Sequence, residues 1–161
     1  MTANAATDYP TGQRIDPVWL NRDLYHQKIT VRPRFQDLDP LNHINNVAMA
    51  ALFEDARVRF NHPMSAHFQT DTVRTMVVGQ TLNYVGECHL HPEVDFYLGV
   101  GSMGNSSWVI QTCAWQGNKP VLLAMATLVS TRDGKACPIP EALKAMLLER
   151  CISIPETVPA S

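Results

Sequence analysis

Residues 34–60 read RFQDLDPLNHINNVAMAALFEDARVRF, and the fold turns on how this stretch is read. Two aspartates, a histidine and two adjacent asparagines stand just ahead of an unbroken apolar run from Val47 to Phe53. Asn45 is a favoured N-cap residue, and Pro63 marks the end expected for a helix over 46–60. Glu54 with Arg57, and Asp55 with Arg59, have the spacing of neighbours on a helix surface. The run VAMAALF is apolar nearly all round, so the helix is expected to be enclosed. Glu54 shares a face with Val47, Ala50, Ala51 and Val58, which makes a buried acid paired with Arg57 the expectation there.

The flanking chain has a different periodicity. HQKITVRPRF alternates like a strand, with Pro33 pointing to an edge position or a bulge. From Thr72 onward, VRTMVVGQTLNYVGEC, EVDFYLGVGSMG, SSWVIQTCAWQ and KPVLLAMATLVSTRDG are β-rich segments. Turn signals at His91-Pro92, Gly104-Asn105, Gly117-Asn118 and Asp133-Gly134 separate them. PEALKAMLLER reads as a short helix begun at Pro140. This order predicts an α+β fold, a long antiparallel sheet wrapped around one central helix with a short C-terminal helix. Residues 1–22 read as a loose N-terminal arm with a short helical turn near Val18–Leu20. Residues 23–150 read as one domain, and residues 151–161 as a proline-broken, frayed tail.

Composition narrows the function. With 161 residues and 45% hydrophobic content the chain can bury a full core, and a net charge of −2 gives no footprint for nucleic acid. VLLAMATLV (121–129), the longest uncharged apolar run, is too short to span a bilayer, and with no apolar stretch near Met1 a secretory signal is not expected. Cys88, Cys113, Cys137 and Cys151 lie far apart without a C-x-x-C pair, which predicts reduced thiols and a cytoplasmic location. His89 and His91 have the spacing of one strand face, but no third ligand stands near them in sequence, so no metal site is expected. Ser106 and Ser107 lack a nucleophile elbow and read as a turn, and Cys113 reads as a core hydrophobe.

The motif D-x-D-x-x-x-H-I-N-N, here Asp37, Asp39, His43, Ile44, Asn45 and Asn46, is followed by Glu54 and Arg57. It resembles the signature of hotdog-fold acyl-CoA thioesterases, in the 4-hydroxybenzoyl-CoA thioesterase-like branch. The element order resembles that family from Lys28 to Arg132, and GSMGNSSWVI resembles its later hairpin. Met49 stands where the family often has tyrosine, Asn42 where it often has glycine, and Leu41 where plant carrier-protein thioesterases have asparagine.

The resemblance implies hydrolysis of an acyl-CoA thioester to free acid and coenzyme A, without a metal or other cofactor. Asp39 is the expected general base, or the nucleophile that forms a mixed anhydride. A carboxylate at the edge of an apolar pocket gains basicity through desolvation. The backbone N–H of Asn46, with that of Val47, is the expected oxyanion donor, because a helix N-terminus has orphan donors and a favourable dipole. His43 could orient Asp39, polarise the carbonyl or shape the loop. Glu54 is a weaker catalytic candidate, and Asp37 is expected to bind backbone N–H groups. Val47, Met49, Phe53 and Arg57 are the expected substrate contacts. Arg57, Arg59, Lys119, Arg132 and Lys135 are candidates for the coenzyme phosphates. The resemblance also implies a homodimer with sheets joined edge to edge, often paired into a tetramer, acting on a small-molecule substrate away from nucleic acid and membrane. A hotdog hydratase would place histidine five residues after the aspartate, in D-x-N-P-x-H, and Asp39 to His43 is four. The other alternative is a non-catalytic acyl-thioester-binding hotdog protein.

Overall fold

The computed structural model describes residues 16–70 and 72–154. In chain order it contains β1 (Gln27–Val31), α1 (Asn46–Ser65), β2 (Val73–Tyr84), β3 (Val94–Met103), β4 (Ser107–Gln116), β5 (Lys119–Arg132), β6 (Lys135–Ala136) and α2 (Glu141–Leu148). The strands form one antiparallel sheet in the order β1-β3-β4-β5-β2, with β6 added to β5. The sheet curls around α1 as the α+β reading predicts, a hotdog fold. β1 ends before Pro33 and lies at one edge of the sheet, where a missing N–H is tolerated.

Alternation along the strands divides the interior. Val94, Phe96, Leu98 and Val100 of β3, Trp108 and Ile110 of β4, and Leu122, Ala124, Ala126 and Leu128 of β5 face α1. The helix meets them with Met49, Leu52, Phe53, Ala56, Phe60 and Met64. Intervening residues Tyr97, Cys113, Trp115 and Leu123 point to the opposite face, where Trp19 and Tyr25 cover them. The described part of the N-terminal stretch is therefore packed rather than loose: Pro17–Leu20 forms a 3-10 turn capped by Asp16, with Trp19 buried. The rest of the expected arm lies outside the described residues.

The C-terminal stretch is docked through Ile154 as well. Ile152 N–H donates to Val100 O at 2.8 Å, and Val100 N–H to Arg150 O at 2.8 Å. Gly99 makes room for this crossing, because a Cβ there would come within 2.6 Å of Ile152. Residues 155–161 of the expected frayed tail lie outside the described residues.

Two features of α1 correct the sequence reading. The helix runs through Pro63 to Ser65, so the proline does not end it. Pro63 falls in the last turn and forfeits one bond to the Arg59 carbonyl, while Ala56, Phe60 and Met64 continue the buried stripe on either side. Nor does the chain enclose the helix by itself. Val47 is 81% exposed, Val58 is 42% exposed, and Ala51 is exposed between them. Positions 47, 51, 54 and 58 do form one face, and that face points away from the chain's own sheet. Glu54 is accordingly exposed rather than buried.

Candidate active site

The polar stretch before α1 folds on its own hydrogen bonds. Asp37 is buried, and its Oδ2 accepts Arg34 N–H at 2.7 Å while its Oδ1 accepts Arg34 Nη2 at 2.9 Å. The Arg34 guanidinium holds the Asp37 carboxyl below its usual range. The carbonyl of Asp37 accepts both Asn45 N–H, at 2.9 Å, and Asn45 Nδ2, at 3.0 Å. This aspartate fixes the loop to the helix start.

Asp39 closes the turn between these anchors. Its N–H donates to His43 O at 2.8 Å, and its Oδ1 accepts Leu41 N–H at 2.8 Å and His43 N–H at 3.0 Å. Asn42, at φ 62°, occupies the left-handed region that asparagine tolerates better than most residues. The place where the resembling family often has glycine needs that backbone shape, and asparagine supplies it. No described residue hydrogen-bonds Oδ2 of Asp39, which leaves one carboxylate oxygen available.

The helix start is capped only in part. Asn45 Oδ1 accepts Ala48 N–H at 2.8 Å, and the Asn45 carbonyl accepts Met49 N–H at 2.9 Å. That leaves the N–H groups of Asn46 and Val47 without acceptors among the described residues. Tyr84 Oη donates to Asn46 O at 3.1 Å and ties the end of β2 to the helix. Asp39, His43, Ile44, Asn46 and Met49, with residues 84–88, line one cleft of about 370 Å³. The acid and the partly capped helix end at Asn46 therefore share a cavity.

The other sequence-predicted residues are dispersed. Val47 projects outward, and Phe53 is fully buried in the core under the helix. Arg57 is buried and lies about 16 Å along the helix from Asn46. It lines a separate cleft of about 210 Å³ with Asn61, Ser65 and Thr75. It pairs with Glu54 at 3.2 Å, and its Nε has no acceptor among the described residues.

Sequence reasoning counted Tyr84 among the residues that set pocket depth, but it missed Glu87 and the placement of His89 beside His43. His43 Nε2 lies 3.6 Å from Glu87 Oε2, and the His43 and His89 rings meet edge to face with centroids 5.0 Å apart. The sequence pairs His89 with His91 on a strand face, but residues 85–93 are not in a strand, and His91 is not part of this group. Burial pushes the Cys88 thiol up to about 11, so it is a protonated core group rather than a nucleophile. Glu87 and His89 also border an adjoining cleft of about 620 Å³ lined by His91, Gln116 and Lys119. Among the described residues, no helix is long and apolar enough to cross a membrane.

A family model described as the thioesterase-like superfamily matches residues 33–147. The uncharacterized protein YsmA of Bacillus subtilis is 25% identical over 89 residues, a match that spans 55% of this chain and 59% of that protein. A predicted thioesterase from Bacillus stearothermophilus superposes with a TM-score of 0.72 at 22% identity, covering 80% of this chain and 98% of that one. A thioesterase from Thermus thermophilus, solved with coenzyme A and Zn, superposes with a TM-score of 0.66 at 24% identity, covering 76% of this chain and 92% of that one. At these identities the structural likeness establishes the fold.

Proposed function

The chain belongs to the thioesterase-like superfamily, and on that premise we propose that it hydrolyses acyl-CoA thioesters at the Asp39 cleft. The observation that carries this reading is that a carboxylate with one uncommitted oxygen and Asn46, whose N–H has no acceptor among the described residues, line one cavity. In the general-base route, Oδ2 of Asp39 takes a proton from water as the water oxygen attacks the thioester carbonyl carbon. In the nucleophilic route, the same oxygen attacks directly, and water then cleaves the mixed anhydride. Either way negative charge develops on the carbonyl oxygen, where the N–H groups of Asn46 and Val47 and the helix dipole stabilise it. The C–S bond then breaks, and the thiolate of coenzyme A leaves and takes up a proton.

Met49, at the cleft wall, contacts the acyl group. Lys119 and His91 stand in the adjoining cleft, where they can meet coenzyme phosphates. The coenzyme A bound to the Thermus thermophilus relative supports this choice of thiol carrier.

The active unit is a homodimer joined through β2. This edge strand is twelve residues long, and Met76, Val77 and Val78 are 51%, 39% and 62% exposed. A long apolar edge invites pairing with another strand. Its continuation is the exposed stripe of α1, since Val58 of the helix and Val77 of β2 border the same cleft.

The experiment is free-thiol release from short, medium, long and aromatic acyl-CoAs. Turnover on at least one class supports hydrolysis. Binding of acyl-CoA without turnover on any class refutes it in favour of a non-catalytic thioester-binding protein.

A further inference from the structure

We propose that His43, Glu87 and His89 form a binding site for a divalent transition-metal ion of the Zn²⁺ class at the mouth of the Asp39 cleft. Their ligating atoms all lie within 4.8 Å of one another. A tetrahedral zinc ion with bonds of about 2.0–2.1 Å holds its ligand atoms roughly 3.4 Å apart. His43 Nε2 and Glu87 Oε2, at 3.6 Å, are already near that separation. Glu87 and His89 are exposed, so side-chain rotation alone can bring the third donor in.

The donor set is chemically apt. Two imidazoles and one carboxylate suit zinc and its neighbours, whereas magnesium and calcium favour oxygen-only shells. Three protein ligands at a cleft mouth also leave a coordination position for water or another ligand.

The backbone holds the three residues together without help from an ion. Ile44 N–H donates to Cys88 O at 2.7 Å, which ties the residue after His43 to the residue between the other two ligands. Gln116 clamps His89 from behind, with His89 N–H donating to its Oε1 at 2.8 Å and its Nε2 donating to His89 O at 2.7 Å. Cys88 is buried in the core between two exposed neighbours, so its side chain is turned away from the site.

The test is calorimetric titration of the full chain with zinc chloride, with Co²⁺ as a spectroscopic substitute. We expect one ion per chain and visible ligand-field bands of a tetrahedral cobalt site. Loss of a supporting group alone costs about 10–100-fold in affinity, so His89→Ala and Glu87→Gln should each weaken binding by at least about tenfold. His67→Ala, which changes an exposed histidine elsewhere, should leave affinity unchanged. Absence of stoichiometric binding, or affinity that survives both cleft substitutions, would overturn the site. Binding is read without substrate, so the result stands apart from thioester hydrolysis.

Discussion

Oδ1 of Asp39 accepts two backbone N–H groups while Oδ2 is uncommitted, so substitutions there have separable effects. Asp39→Asn keeps an acceptor oxygen for the turn, and its unfolding midpoint should match wild type. Asp39→Ala removes both hydrogen bonds, each worth about 0.5–1.5 kcal/mol, and should lower stability measurably in denaturant titration. Asp37 behaves differently, because Arg34 depresses its folded pKa. A depressed carboxylate stabilises the fold above its unfolded value, near about pH 4, and that contribution fades as pH falls through the lower folded value. Unfolding midpoints followed from about pH 6 downward should therefore show an acid limb that is flattened in Asp37→Asn. The structural role of Asp37 was legible in the sequence, since an Asp-x-Asp pair before a helix is turn chemistry first. The engagement of Asp39 Oδ1 was hidden, because it depends on Asn42 adopting a positive φ.

At the scale of elements, α1 was legible in its start and misread in its end and surroundings. The Asn45 cap follows from local chemistry alone, and Asn45→Ala should cost about 0.5–2 kcal/mol in the same titration. Pro63 was read as a stop because propensity is local, whereas the continuing stripe of Ala56, Phe60 and Met64 is a tertiary effect. Phe53, fully buried, anchors that stripe, and Phe53→Ala should cost about 3–5 kcal/mol. The apolar run from Val47 to Phe53 predicted enclosure, but periodicity cannot say which surface encloses each face. One face meets the chain's own sheet, and the other is exposed. The strands were easier, because β-rich composition and turn residues agree with one another at every hairpin.

For the molecule as a whole, the proposed homodimer sets the exposed stripe of α1 and the exposed edge of β2 against a second copy of the chain. Sedimentation should give twice the 17.9 kDa chain mass. Val78→Arg, which places a charge on the apolar edge, should return the protein to a single chain. A wild-type mass of one chain would contradict the edge-to-edge assembly. Groupings such as His43 with Glu87 and His89 were invisible in the sequence for a related reason. They arise where the turn before α1 meets the segment after β2, and no spacing rule spans that separation.

The most direct test of the central claim, an acid and a helix end acting on one carbonyl carbon, is kcat for thiol release by Asp39→Asn on the best acyl-CoA. The account predicts a fall of about 10²–10⁴-fold with the unfolding midpoint preserved. Turnover within about threefold of wild type would contradict it.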